Sequence, residues 1–444
     1  MSVLLPNQVK SILEKFVKAD YKIYIVGGAP RDILMNRPVN DWDFTTDAKP
    51  DEILKLFPEG FNDNKFGTVG ISFDNKVYEI TTMRKEGIYV DFRHPVEVYW
   101  TNKIEEDLAR RDFTINAIAM SLDGTITDPY NGQKDIAEKI IRAVGDPNAR
   151  FQEDALRLMR AVRIATQLGF NIESNTLAAI KINAPLIENV ANERIRDELF
   201  KLLSSTNPET GIEALRNCGI LQIILPELEK CFGLQQEGPK HDRVYDIGQH
   251  SLASLKFCPS NDPLVRFAAL LHDIGKPDTV AITEDKNVTF YNHDLSGGKI
   301  ILQIAKRFNL SKKQTDKLYT LVRWHMFTLD EKQTDSSIRR FIKNIGQENI
   351  EDMMAVRIAD RLGGGTVNAV SWRMDEFQKR IAQVLQKPFS ISDLKINGKD
   401  IMKELNIKPG PKVGEILEKL FKEVLENSEK NNKEYLLKKI NEFA

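Results

Sequence analysis

Apolar and polar residues repeat along this chain with two different periods, and the change of period divides it. Val9, Ile12, Leu13, Phe16 and Val17 recur at helical spacing, which predicts an amphipathic helix over residues 7–19. A short apolar strand follows from Ile23 to Val26, then a Gly27-Gly28 turn, a helical turn opened by Arg31-Asp32, and a second strand carrying Asp41 and Asp43. Asp51 to Phe57 is another amphipathic helix, and Gly67 to Arg84 alternates strongly on either side of Asp74-Asn75, as a hairpin does. Residues 85–105 have no clean period and read as a mobile loop. After the turn Asp128-Pro129-Tyr130-Asn131-Gly132 the spacing is helical for the remainder, with a Pro409-Gly410-Pro411 break in the tail. The expected fold class is therefore α+β: a small mixed sheet with helices, then an all-α remainder.

Composition changes this picture little. At 444 residues with 41% hydrophobic content the chain is long enough for two to four packed domains. No apolar run reaches the length of a membrane span, and the first residues lack the pattern of a secretory signal, so a cytoplasmic protein with no membrane partner is expected. Cys218, Cys231 and Cys258 are odd in number and contain no CxxC, which predicts buried thiols, with neither a disulfide framework nor a zinc knuckle. Sixty-three Lys+Arg against 64 Asp+Glu give a net charge of −1, so any nucleic-acid footprint has to be local.

The candidate chemistry is concentrated in Tyr24 to Thr46, YIVGGAPRDILMNRPVNDWDFTT. On a strand Asp41 and Asp43 share a face, and two adjacent carboxylates repel unless a cation lies between them; hard oxygen ligands favour Mg²⁺. At Gly28 the backbone can approach a ligand closely, and Arg31 offers a planar fork to phosphate oxygens. An ordinary strand end and an ordinary turn account for each feature taken alone. Further on, Asp154 and Arg157 are three apart on a predicted helix over 146–170, with Arg160 and Arg163 near the same stripe. An exposed ion pair explains them, and so does a protein template: acceptor-only Asp and donor-only Arg match the base edges of cytosine and adenine, not those of uracil and guanine.

GGxxRD followed about ten residues later by DxD resembles class II tRNA nucleotidyltransferases and the related bacterial poly(A) polymerases. The resemblance implies Mg²⁺-dependent nucleotidyl transfer at Asp41 and Asp43, with Glu79 as a third carboxylate; a Glu on an exposed strand face is the alternative. RRDFTINA at 110–117 resembles the ribose-recognition motif, implying phosphate or ribose contacts for Arg111 and a 2′-hydroxyl contact for Asp112, where a helix cap is the plainer account. EDxxR falls at Glu153, Asp154 and Arg157, with Arg160 and Arg163 as further nucleotide contacts; ANERIRDELFKLL at 191–203 resembles the motif that follows and is assigned no chemistry. Pro30 stands where the family commonly has a small aliphatic residue, which implies an altered phosphate turn. The loop at 85–105 is not shortened, which in this family goes with complete CCA addition.

A second resemblance begins at His250. His250, His272, Asp273 and Asp360 match the core ligands of the HD superfamily of metal-dependent phosphohydrolases, and His293 and His325 match additional ligands of its two-metal members. Imidazole with carboxylate suits Mn, Fe, Ni or Zn. A degenerate scaffold is the alternative; His94 falls in the loop and His241 in a polar connection. The implied organisation is a nucleotidyltransferase head over 1–145, a helical neck over 146–245, an HD domain over 246–365 and a helical tail over 366–444. The implied partners are tRNA, CTP and ATP. Three other readings stay open: a poly(A) polymerase or A-adding enzyme, an HD phosphohydrolase with a vestigial head, and a non-catalytic RNA-binding scaffold.

Overall fold

In the computed structural model, residues 5–443 are described except 63–66, 75, 88–95, 237–244, 285–287, 328–332 and 386–390. The chain forms two compact units, residues 1–230 with 307–309, and residues 231–306 with 310–444. It is an α+β protein, with its sheet in the N-terminal part of the first unit.

Helix α1 (Asn7–Lys18) buries Val9, Ile12, Leu13 and Phe16. Val17, placed on that apolar face by its spacing, instead stands 51% exposed, because a helix stripe of four residues already fills the contact. The sheet comprises β1 (Ile23–Val26), β2 (Asp43–Thr46), β3 (Phe61–Asn62), β4 (Thr68–Phe73), β5 (Lys76–Thr82), and, after a separate ribbon of β6 (Arg84–Glu86) and β7 (Val98–Trp100), β8 (Ala119–Met120) and β9 (Ile126–Thr127). Its order is β3-β4-β5-β2-β1-β8-β9, mixed because β2 runs antiparallel to β1 but parallel to β5. Helices α2 (Gly28–Leu34) and α3 (Pro50–Leu56) complete this layer, and Ile25, Phe44, Val69, Ile71 and Ile80 pack with α1 into one core.

Three expectations are corrected here. Helix α2 opens at Gly28, not at Arg31-Asp32; Pro30 sits in its first turn, where a missing N–H costs no intrahelical bond. The strand begins at Asp43, so Asp41 precedes it. The segment read as a loop over 85–105 begins in β6, includes β7 and runs into the start of a helix at Ile104, while His94 and His241 lie outside the described residues.

Helices α4 (Ile104–Ala109) and α5 (Gly132–Glu138) flank the sheet; the second follows the expected turn, where Asp128 accepts from the N–H groups of Gly132 and Gln133 at 2.7 and 2.9 Å. The remainder is not purely helical, since β10 (Ile140–Ile141) pairs with β11 (Asn171–Ile172). The predicted helix over 146–170 is two: α6 (Pro147–Glu153), capped by Asp146, and α7 (Leu156–Leu168), with Asp154 extended between them at φ −141° and ψ 104°. Next come α8 (Ser174–Asn183), α9 (Asn192–Leu203), α10 (Pro208–Asn217), α11 (Leu221–Ile224) and α12 (Pro226–Glu229).

The second unit holds α13 (Ile247–Phe257), α14 (Pro263–Leu271), α15 (Lys276–Thr279), α16 (His293–Arg307), α17 (Lys312–Arg323), α18 (Asp335–Ile345) and α19 (Ile350–Gly363). Four further helices follow: α20 (Trp372–Leu385), α21 (Gly398–Leu405), α22 (Pro411–Glu426) and α23 (Lys433–Phe443); the last three share a separate core around Leu420 and Leu436. Pro411 opens α22. Among the described residues no helix is long and apolar enough to cross a membrane.

The tightest approach in this unit is at Gly275, where an added Cβ would lie 2.1 Å from the His293 carbonyl oxygen and 2.4 Å from the Gly297 N. Only glycine lets the turn after α14 meet the start of α16. Gly275→Ala is expected to destabilise the protein by about 1–3 kcal/mol, the usual range for forced overpacking. Thermal unfolding of the full chain checks this, and an unchanged melting temperature would show that the contact relaxes freely.

Candidate active site and metal cluster

The end of β1 delivers the backbone to Gly27, which adopts φ 74°. A Cβ there would stand 2.8 Å from Asp43 Oδ2, so glycine is required both by conformation and by the approach of the carboxylate. Gly28, the glycine singled out from the motif, has a milder constraint: its Cβ position faces the Arg31 guanidinium at 3.2 Å. Asp43, first residue of β2, pairs with Val26 on one side and with Glu79 on the other. Among the described residues a cavity of about 360 Å³ is lined by Gly27, Gly28, Arg31, Asp41, Asp43, Arg111, Asp112, Asn116, Arg160 and Arg163, with Asp32, Asn40, Ile164, Gln167 and Leu168. Eight of the eleven residues expected for transfer therefore share one space. Glu79 is exposed beside Asp43 in the sheet and is not among the cavity's lining residues.

A continuous polar chain runs through this cavity. Arg31 Nη1 donates to Asn116 Oδ1 at 2.8 Å, Asn116 Nδ2 donates to Asp112 Oδ1 at 3.1 Å, and Arg160 donates to Asp112 Oδ2 through Nε at 2.9 Å and Nη2 at 2.5 Å. The Phe113 N–H adds a fourth donor to Asp112 at 2.8 Å. A carboxylate offers about four acceptor positions, so Asp112 is filled. A 2′-hydroxyl contact at this residue requires Arg160 to release it. Helix capping does not explain Asp112 either, since a single 3₁₀ turn (Thr114–Asn116) follows with no side-chain cap.

Burial alone raises the Asp112 pKa, but the Arg160 charge and hydrogen bonds outweigh it and hold the carboxyl well below its ordinary range. The Asp112 charge in turn raises the pKa of Arg160. Asp43 moves the other way: burial, then the neighbouring Asp41 charge, raise its pKa, against opposition from Arg111 and Arg160. A half-buried carboxylate pushed toward its neutral form is one that a cation would stabilise. Arg111 is anchored by Asp107 at 3.3 Å, a buried carboxylate that also binds Arg110 at 2.8 Å. Arg163 donates to Glu198 at 2.5 Å and to Gln167 at 2.6 Å; burial lowers its pKa and the Glu198 charge opposes this.

The Asp154–Arg157 pair does not form. Because the helix breaks at Asp154, the two side chains leave from different elements. Asp154 accepts both Arg194 Nη groups, at 3.3 and 2.9 Å, whereas Arg157 donates to Glu153 at 2.7 Å and to the Arg110 carbonyl at 3.0 Å. Neither is among the cavity's lining residues. The sequence reading passed over Asn116, Asp107, Arg194 and Glu198. Arg194 and Glu198, charged residues one turn apart on α9 with Glu198 among its buried apolar residues, were the available signal.

In the second unit, His250, His272, Asp273, His293, His325 and Asp360 converge. His250 Nε2 lies 3.1 Å from His272 Nε2, 3.4 Å from Asp273 Oδ2 and 3.3 Å from Asp360 Oδ1. On the other side of the same carboxylate, Asp273 Oδ1 lies 3.4 Å from His293 Nε2 and 3.7 Å from His325 Nε2, and those two nitrogens are 3.2 Å apart. Asp273 is thus shared between two three-donor groups, His250–His272–Asp273 and Asp273–His293–His325, each compact enough to hold one cation; Asp360 Oδ1, beside both imidazoles of the first, adds a fourth donor on that side.

The tautomers test that fit. Nδ1 of His272, His293 and His325 each meets a backbone carbonyl three residues earlier, at 2.8, 2.8 and 2.7 Å. A carbonyl only accepts, so Nδ1 carries the hydrogen and the neutral ring presents a lone pair at Nε2. Two such lone pairs 3.2 Å apart need a proton or a metal between them. Burial above all pushes the His325 pKa down to about 4, which leaves it a neutral ligand at physiological pH. For Asp273 burial is overcome by His272 and Lys276, and its pKa falls well below the ordinary value. Lys276 Nζ, 2.6 Å from Asp273 Oδ2, is a buried partner that sequence reading missed.

Three family models match the chain: the poly A polymerase head domain over residues 23–142, the "Probable RNA and SrmB-binding site of polymerase A" over 169–232, and tRNA nucleotidyltransferase domain 2 over 294–440. The CCA-adding enzyme of Pediococcus pentosaceus is 31% identical over 438 residues, 98% of this chain and 98% of the relative. The chain belongs to the CCA-adding enzyme family, the tRNA nucleotidyltransferases. A second CCA-adding enzyme, from Ligilactobacillus salivarius, is 34% identical over 98% of this chain and 96% of its own. The Bacillus stearothermophilus CCA-adding enzyme, solved in complex with CTP, superposes with a TM-score of 0.73 at 27% identity, covering 98% of this chain and 96% of that one.

The raised pKa of Asp43 has a measurable sign. Above its folded pKa the ionised side chain costs stability; the cost shrinks as pH falls through that pKa and is gone below the ordinary value of 3.8. In chelator at neutral pH, Asp43→Asn is therefore expected to melt at a higher temperature than the wild type, with the difference fading on acidification. A variant that melts lower at neutral pH would contradict the assignment of Asp43 as an electrostatically strained group.

Proposed function

We propose that this chain adds CCA to the 3′ end of tRNA from CTP and ATP, with Mg²⁺ held by Asp41 and Asp43. The observation that carries this is the convergence of four arginines and four aspartates on one cavity, charge enough for both a triphosphate and its cation. The relative bound to CTP supports a nucleotide there. Bound Mg²⁺ supplies Lewis acidity at the α-phosphate and eases ionisation of the attacking 3′-hydroxyl. Arg31 and Arg111 face the phosphates across the Gly27-Gly28 backbone. Asp112 holds Arg160 rigidly, and Glu198 does the same for Arg163, so both present fixed donors. Glu79 is a third carboxylate one strand away, reachable only if the cation site extends along the sheet. In this reading Asp154 and Arg157 select the base; each gives up or shares its partner, Arg194 or Glu153, when a base edge arrives. Head, neck, HD domain and tail are assigned to 1–145, 146–245, 246–365 and 366–444, and the site of action is the cytoplasm.

We further infer that the His250–Asp360 cluster is a metal-dependent phosphohydrolase centre of the HD type. The donor set of imidazole and carboxylate suits Mn, Fe, Ni or Zn, and supports up to two cations sharing Asp273. A divalent cation there supplies electrophilic activation of a phosphoester.

Incubation with Mg²⁺, CTP, ATP and a tRNA lacking its 3′ end, followed by sequencing of the product termini, tests the main reading. Termini that end in CCA and stop are expected. A-only extension would replace the reading with an A-adding or poly(A) enzyme, and unextended tRNA would overturn it. Asp43→Ala is expected to abolish extension with tRNA binding retained. Arg157→Ala should admit UTP; undiminished rejection of UTP would remove Arg157 from base selection.

A further inference from the structure

At the cluster in the second unit, the two metal-facing carboxylates are held differently. Asp273 is enclosed, 3% exposed, and clamped by Lys276. Asp360 is 22% exposed and turns Oδ1 toward His250 and His272 while its Oδ2 accepts Arg357 Nη1 at 2.8 Å. Arg357 sits one turn earlier on the same helix α19. Its guanidinium lies over the Phe327 ring, 5.8 Å from the centroid, and Phe327 packs against Phe341 and Phe377 at 4.7 and 5.6 Å. The Phe327 N–H also bonds the His325 carbonyl at 3.1 Å. The arginine that orients one ligand is thus seated on the segment that carries another.

We propose that Arg357 is the positioning residue that sets cation affinity at the four-donor position, while the three-donor position depends on its own ligands. The inference rests on reading the cluster as a metal centre. Two effects of Arg357 oppose each other: its charge repels a cation nearby, and its hydrogen bond fixes the carboxylate with Oδ1 toward the imidazoles. Orientation wins because Asp360 is the more exposed of the two carboxylates, and a carboxylate free to rotate presents its ligand oxygen only part of the time. Arg357 bonds Asp360 directly and reaches His325 only through Phe327, so losing its hydrogen bond acts first on the position that includes Asp360.

The probe is Co²⁺, titrated into the metal-stripped full chain in an Asp43→Asn background that silences the transferase site, with uptake followed by equilibrium dialysis and visible absorption. The unmodified cluster is expected to load its four-donor position first. Arg357→Met, which removes both donor and charge, is expected to weaken that first step by about 10- to 100-fold, the usual cost of losing an outer-shell partner. The second step should be unchanged, and Arg357→Lys should recover much of the loss. Unchanged or tighter first-step binding in a folded Arg357→Met protein, judged by circular dichroism, overturns the inference. A cluster that takes up no Co²⁺ even with Arg357 intact overturns the metal-centre reading itself.

Discussion

The contact on which the first unit's site depends is the ion pair between Asp112 and Arg160. It joins the loop after α4 to helix α7, and its two donors at 2.9 and 2.5 Å complete the four bonds that saturate the aspartate. Buried pairs of this kind are weak sources of net stability, because desolvation offsets most of the attraction. Their value is geometric. Removing either partner would strand a charge at the wall of the cavity, so Arg160 cannot turn away without cost, and through Asn116 the same bonds orient Arg31. Arg31 and Arg160 are in this way held in place at the wall of the cavity.

The two centres solve like-charge crowding in different ways. Around Asp43 the carboxylates are offset by arginines, and burial leaves Asp43 short of full compensation. Around Asp273 the rings are fixed by carbonyls, which commits their lone pairs to the interior, and Lys276 and Arg357 neutralise the carboxylates from outside. On the proposed reading, an all-oxygen donor set and a mixed imidazole–oxygen set would select different cations, and the two centres would not compete for one metal.

Much of this was legible in the sequence because it is local. A Gly27-Gly28 turn between apolar runs, an alternating hairpin and the order of GGxxRD, DxD and RRD each depend on near neighbours, and the sheet follows from them. The six His and Asp residues of the second unit were singled out by the resemblance to the HD superfamily, and their side chains do converge. What failed was what depends on distant partners. Asp154 and Arg157 are three apart, and the helical period made them neighbours until the chain broke at Asp154 and Arg194 and Glu153 took one each. Asp112 looked like a free acceptor because the side chain that fills it lies 48 positions away. The contacts of Lys276 and Arg357 are visible only once Asp273 and Asp360 are in place.

The account stands or falls on a single cavity holding both triphosphate and cation. Calorimetric titration of CTP into the full chain, with and without Mg²⁺, measures this directly. Mg²⁺-dependent binding that is lost in both Asp43→Asn and Arg111→Gln is the predicted result. CTP binding that survives both changes would place the nucleotide elsewhere and contradict it.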